Sequence, residues 1–178
     1  MTALVVDRQV VGDPYRRVAD GAALPGHGAV LVSLSTWQEH RSTLLQRGAP
    51  VGVVLMSDEH PQAIAEAVGQ LQLIALEFPC FGDGRAYSYA RLIRDRYGFT
   101  GELRAVGEVL LEQLHYMERV GFNAFETDSD DPLTEFDVAT RDFSVWYQPS
   151  ADRRAWAARL RSGSLPAERP DPDEQQRQ

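Results

Sequence analysis

The sequence predicts an α/β fold in which about five mostly parallel strands alternate with helices in an open or half-barrel-like sheet. A β-hairpin precedes that sheet and a disordered C-terminal tail follows it. Three observations predict this. Short apolar runs at 30–34, 51–56 and 73–76 are too short for helices, and they alternate with segments of helical spacing. Glycines 48, 98 and 121 each stand where a helix would need a left-handed cap before the next strand. The 178 residues also fall short of the roughly 200 or more that eight βα units require, which favours an open or half-barrel form over a closed barrel. Residues 1–161 read as one α/β domain with its core within 29–150, and 162–178 as the tail.

The elements follow in order. Leu4-Val5-Val6 and Gln9-Val10-Val11 flank Asp7-Arg8, which predicts a hairpin with a two-residue turn, although Asp-Arg is not a preferred turn pair. Residues 13–28 lack periodicity and read as a surface connection. The strand over 30–34 is followed by Ser35 and Thr36 as helix caps, with Gln38 and Glu39 in capping-box positions and Trp37, Leu44 and Leu45 as the apolar stripe. Gly48 and Pro50 end that helix. The run 51–56 is apolar on both faces, as a buried parallel strand should be. Pro61 then opens a second helix whose stripe is Ile64, Ala65, Val68 and Leu71. The strand at 73–76 leads into Phe78-Pro79, a helix over 86–97, a strand over 102–105, a helix over 109–120 and a short strand near 123–126. The acidic turn 127–132 reads as the cap of a helix over 133–140. It lacks the central glycine and distal glutamate of an EF-hand loop. A last edge-like strand is expected at 143–147 and a short basic helix at 153–161. From Ser162 onward Ser, Gly, Pro, Glu, Asp and Gln dominate, a composition that cannot bury a core.

Composition narrows the function. A net charge of −8 argues against a nucleic-acid-binding surface, since neutralising phosphates requires a basic patch. Met1-Thr2-Ala3-Leu4 carries neither a basic n-region nor an apolar h-region, and no apolar run approaches about 18 residues, so no membrane span and a cytoplasmic location are expected. Every basic side chain apart from histidine is arginine. Without lysine there is no Schiff base, no pyridoxal phosphate attachment and no P-loop. Cys80 is the sole cysteine, which excludes an intrachain disulfide, a C-x-x-C pair and a four-cysteine iron–sulfur site.

In a parallel sheet the strands' carboxyl ends collect ligands, and here they gather Asp58, Glu77, the loop Asp83-Gly84-Arg85 and Gly107-Glu108. Arg85 stands ahead of a helix start, a location that favours a small oxyanion or a phosphate. The structural alternative has Asp83 capping the helix and Arg85 paired with Glu77 or another carboxylate. Glu102 and Arg104 project from one face of a strand. Arg104 either meets a ligand or joins an ion-pair network with Glu102 and Arg91, Arg94 or Asp95. Tyr87 and Ser88 stand at the helix start as hydrogen-bond donors, but Ser88 has no partner base. Cys80, near Arg85, is either a reactive thiolate or an incidental loop residue. The histidines form no metal pair, so no metal site is assigned. Gly82-x-Gly84 lacks the third glycine of a dinucleotide fingerprint, leaving no residue pattern for nicotinamide or flavin.

One stretch, 73–125, carries a resemblance. Ala75-Leu76-Glu77-Phe78-Pro79, Phe81, Asp83-Gly84-Arg85, Tyr87-Ser88, Ala90-Arg91, Gly101-Glu102-Leu103-Arg104-Ala105 and Gly107 resemble the bacterial domain of unknown function 934 family. The likeness continues through Gln113, Tyr116-Met117, Arg119, Gly121-Phe122 and Phe125 to Asp142-Phe143-Ser144-Val145 and Tyr147-Gln148. Members of that family are described as oxidoreductases involved in sulfite reduction. The resemblance therefore implies a place in assimilatory sulfate or sulfite reduction, with a sulfite reductase as partner. In enzymes known for it, six-electron reduction of sulfite uses sirohaem and an iron–sulfur cluster, which one cysteine cannot hold. An accessory role is thus expected over direct electron transfer. An enzyme binding an anion, a phosphate or a redox cofactor is one alternative, and a non-catalytic interaction module presenting Trp146, Tyr147 and Trp156 is another. Motif and location together mark Glu77, Asp83, Arg85, Tyr87, Ser88, Arg91 and Arg104 as candidate ligand-binding residues.

Overall fold

The computed structural model describes residues 2–141 together with Tyr147 and Ser150. Its strands are β1 (Ala3–Val6), β2 (Gln9–Val11), β3 (Arg16–Arg17), β4 (Val30–Ser33), β5 (Val51–Leu55), β6 (Leu73–Phe78), β7 (Glu102–Gly107) and β8 (Ala124–Thr127). They form one sheet in the order β2-β1-β8-β7-β6-β5-β4-β3. From β3 to β8 the neighbours are parallel and follow chain order, whereas β1 joins β8 and β2 joins β1 antiparallel. Crossovers that all step in one direction and share the right-handed sense place their helices on one face. Those helices are α1 (Leu34–Gln46), the 3₁₀ helix Pro61–Gln70, α2 (Arg85–Arg91) with its π-helical continuation Leu92–Arg96, α3 (Leu111–Val120) and α4 (Pro132–Arg141).

The sheet is a curled, open half-barrel. In a flat sheet five strand spacings of about 4.8 Å would separate β3 from β8 by about 24 Å. Yet Arg17 Nη2 on β3 donates to both carboxylate oxygens of Glu126 on β8, at 2.9 and 2.7 Å. Only a sheet bent toward its inner face brings these side chains together.

Strand alternation sorts the residues. Val30, Val32, Val53, Leu55, Ile74, Leu76, Phe78, Leu103, Ala105 and Phe125 face the helices, where they pack with Trp37, Leu44, Ile64, Ile93, Met117 and Phe136. The inner face carries Leu31, Leu73, Ala75 and Val106, against which Tyr15 and Val54 pack. In β7 the charged residues Glu102 and Arg104 alternate with Leu103 and Ala105, so the charges share the concave side.

Several elements differ in detail from the sequence reading. The connection 13–28 contains β3, whose Arg16 pairs with Val30 and Arg17 with Leu31. The cap of α1 is Ser33, not Ser35 or Thr36. Its Oγ accepts from the Thr36 amide at 3.2 Å, and its own hydroxyl donates to Asp20, which also accepts from the Thr36 hydroxyl at 2.9 Å. A capping-box spacing cannot register an aspartate supplied from an earlier connection. Leu45 is exposed, while Trp37 and Leu44 are buried. The second helix is 3₁₀, and Pro61, Ile64 and Ala67 form its buried row at the three-residue repeat of that helix. Ala67 thus takes the place expected of Ala65. The hairpin forms as expected, with positive φ of 46° at Asp7 and 65° at Arg8. Tertiary contacts hold this unfavoured pair, since the Asp7 amide donates to the Asn123 carbonyl and Arg8 forks onto Glu118 at 2.9 and 2.8 Å. The expected strand at 143–147, apart from Tyr147, the helix at 153–161, Trp146, Trp156 and the tail lie outside the described residues.

Candidate functional site

The carboxyl ends of β5, β6, β7 and β8 meet along one rim. The loop leaving β6 is built by local hydrogen bonds: the Asp83 amide donates to the Cys80 carbonyl at 3.1 Å, and the Arg85 amide to Asp83 Oδ1 at 3.2 Å. The Arg85 side chain then closes on the same carboxylate, Nε to Oδ1 at 3.0 Å and Nη2 to Oδ2 at 2.6 Å. Nη2 also reaches Ser57 Oγ, beyond β5, at 2.9 Å. These bonds from Arg85 hold the Asp83 carboxyl well below the usual carboxylate range. The Asp83 carboxylate therefore occupies the start of α2, where an external oxyanion would otherwise be received, and α2 itself spans only seven residues. The pairing part of the structural alternative holds, with Asp83 rather than Glu77 as the carboxylate, whereas the N-cap of α2 is Gly84 and Asp83 serves the Arg85 amide from one position before it.

A second set of bonds ties this loop to β7. Gly107 ends β7 with φ +88°, and a Cβ there would lie 2.5 Å from the Phe78 carbonyl oxygen, so only glycine fits. The next residue, Glu108, donates its amide to that carbonyl at 2.7 Å and accepts the Phe81 amide on Oε2 at 2.9 Å. Phe81 is thereby anchored through its backbone while its ring stays 58 % exposed. Cys80 beside it is exposed. On the neighbouring loop Met56 is also exposed, its amide held by Glu59 Oε2 at 2.8 Å.

The remaining candidate residues do not converge on this loop. Tyr87 is half-buried, its ring centroid 5.1 Å from Phe78 and 5.0 Å from Tyr116, and burial pushes its phenol up. Ser88 is exposed on α2, and Arg91 pairs with Asp95 one turn on, at 3.1 Å. Glu77 stands on the inner face of β6, half-buried, its backbone in the ladder with β7 and its carboxylate without a hydrogen bond or ion pair to another described residue.

Arg104 lies at the centre of the inner face with no exposed surface. Its Nε donates to Glu102 at 2.7 Å, Nη1 to Asp13 at 2.7 Å and to Glu126 at 3.0 Å, and Nη2 to Asp13 at 3.2 Å. The Tyr15 ring lies 5.7 Å from the guanidinium carbon. Burial lowers the pKa of this group, but the bonds to Asp13 and Glu102 outweigh it, so the net shift is upward. Arg104 is thus part of a structural network, as one sequence reading had it, but not with Arg91, Arg94 or Asp95. Arg94 instead ties together backbone carbonyls, donating to those of Gly121 at 2.9 Å, Phe99 at 2.7 Å and Gly101 at 2.9 Å, and to Asn123 Oδ1 at 3.0 Å. Burial holds it down to about 10.

Next to the Phe81 loop, at the ends of β7 and β8, lies a cleft of about 510 Å³. Glu108, Glu126, Asp128 and Glu135 line it with Thr2, Thr127 and Ser129, and no arginine among the described residues does. The acidic turn beside it caps α4, as expected, with Asp131 Oδ1 accepting the Thr134 amide at 3.3 Å. Sequence reasoning missed Asp13, Ser57 and Glu126 as partners because each is supplied from a different element. Gly107-Glu108 was legible by location, but the bond from Phe81 to Glu108 was not.

A family model described as a bacterial protein of unknown function, domain of unknown function 934, matches residues 52–157, more than half of the chain. The chain belongs to that family. No curated protein matches the chain.

Proposed function

We propose that this member of the bacterial domain of unknown function 934 family is a cytoplasmic accessory protein of assimilatory sulfate or sulfite reduction that acts with a sulfite reductase by docking to it. The pathway comes from the descriptions attached to the family that the motifs resemble. The docking mode is supported by one observation: the arginines marked as anion ligands already hold intramolecular carboxylates, Arg85 that of Asp83, Arg91 that of Asp95, and Arg104 those of Asp13, Glu102 and Glu126. A sulfite ion would have to displace a bonded carboxylate, whereas a protein partner need only meet the loop that presents Phe81. No helix among the described residues is long and apolar enough to cross a membrane, which is compatible with this placement.

The test is growth of a deletion strain on sulfate, sulfite, sulfide or cysteine as sole sulfur source. The reading expects failure on sulfate and sulfite, growth on sulfide and cysteine, and rescue by the wild-type chain. Normal growth on all four sources, with no redundant homologue present, overturns it.

A second reading is an enzyme that binds a small molecule or redox cofactor at the mouth of the half-barrel. It is favoured by Glu77, a motif carboxylate on the inner face that no described residue engages. Thermal stabilisation by a flavin or a nicotinamide, lost in Glu77→Gln, would support it.

A further inference from the structure

We infer that the docking surface is the Phe81 loop together with the acidic cleft beside it, and that it receives a basic surface of the partner protein, with arginine or lysine entering the cleft and an apolar recess covering Phe81. This inference rests on the docking reading above and adds the partner's chemistry.

Glu108 is the hinge of the argument, because it belongs to both halves. Its carboxylate accepts the Phe81 amide at 2.9 Å, and the residue also lines the cleft. The exposed aromatic and the cleft are therefore parts of one surface with a fixed spacing. Phe81 does not need to be ordered on binding, since its backbone is already held at this bond and its loop at the Asp83–Cys80 and Arg85–Ser57 bonds. A pre-positioned aromatic beside a desolvatable recess has the character of an interface hot spot.

Charge selects the occupant. Of the four carboxylates that the described residues bring to the cleft, Glu126 is neutralised by Arg17 and Arg104, but Glu108, Asp128 and Glu135 form no ion pair with a described residue. The chain as a whole carries −8. Such a surface repels sulfite, a phosphate or a second copy of itself, and attracts a basic face from a distance. Hydroxyls of Thr2, Thr127 and Ser129 complete a lining that can accept hydrogen bonds from guanidinium or ammonium groups.

The experiment measures binding of the full chain to the purified sulfite reductase of the same organism at rising sodium chloride. Wild type is compared with Phe81→Ser, with Asp128→Asn/Glu135→Gln, and with Leu45→Ser on α1 as an exposed apolar control. All three variants should keep the wild-type circular dichroism spectrum, since the changed side chains are exposed or at the surface. The expected result is a complex weakened about tenfold or more by Phe81→Ser, the scale of a hot spot. The complex should weaken with salt, less steeply in the carboxylate double variant, and be unaffected by Leu45→Ser. A complex indifferent to Phe81→Ser and to salt overturns this surface while leaving the accessory reading intact. A homodimer that Phe81→Ser dissociates overturns it by naming a second copy as the occupant. No complex at any salt overturns the docking reading itself, and this inference with it.

Discussion

The carboxylate of Asp13 grips both terminal nitrogens of Arg104, at 2.7 and 3.2 Å, from a position 91 residues earlier in the chain. With Tyr15 stacked close by, this pair fastens the segment leading into β3 onto the concave face of the sheet. Arg104 is wholly buried and satisfies Glu102 and Glu126 as well. Arg104→Met should therefore leave Asp13 and Glu102 without their cation and Glu126 with Arg17 alone, and destabilise the fold by about 3–5 kcal/mol, as removal of one partner of a buried pair does. Urea unfolding checks this. Arg104→Lys should recover only part of the loss, because one ammonium cannot reproduce the fork.

The same pair should make stability depend on acid. Burial pushes the Asp13 carboxyl up, but its bonds from Arg104 and from the Tyr15 amide outweigh that, so its net shift is below the ordinary value. A depressed folded pKa means that at low pH the unfolded chain binds more protons. The contribution is present above the ordinary aspartate value of about 3.9 and is lost as pH falls through the folded value. Asp83, depressed by Arg85, acts in the same direction. Melting temperature measured from pH 7 to pH 2 should fall below pH ~4 in wild type. It should fall less steeply in Asp13→Asn, which starts lower at pH 7.

Gly107→Ala should be far costlier than an exposed glycine replacement. Its φ is +88° and the new Cβ would sit 2.5 Å from the Phe78 carbonyl, which already accepts from Glu108. The expected loss is about 2–3 kcal/mol. Displacing Glu108 should also loosen the Phe81 loop, so amide exchange at Phe81 should accelerate by more than the change in global stability explains.

Arg94→Met should destabilise by roughly 3 kcal/mol, since the carbonyls of Phe99, Gly101 and Gly121 would lose a charged donor in a half-buried place. Chemical denaturation measures it. Lysine should rescue poorly, having no planar fork to span three acceptors. Gly121→Ala should show a related defect, because its Cβ would meet Arg94 Cγ at 2.5 Å with φ at +114°.

Much of the fold was legible because its signals are local. The apolar runs that became β4, β5 and β6, the C-cap at Gly121 and the hairpin all follow from residues a few positions apart. Helix subtype was less legible. The 3₁₀ row at Pro61, Ile64 and Ala67 and the π-helical continuation of α2 depend on what the helix packs against and on the carbonyls that Arg94 holds. The rim was legible as a location, and Asp83 and Arg85 do meet there, but Glu77, Arg91 and Arg104 were not brought to them.

Sequence by itself determined the α/β class, the alternation of strands and helices and the family, because periodicity and motif spacing are written along the chain. Tertiary structure alone decided the partners of the charges. Arginine reaches far, and an ion pair between Asp13 and Arg104 or between Arg17 and Glu126 exists only once the parallel strands have been laid in order and the sheet has curled. The parallel pairing of β6 with β7 set Glu108 against Phe81, and so turned two separated residues into one surface.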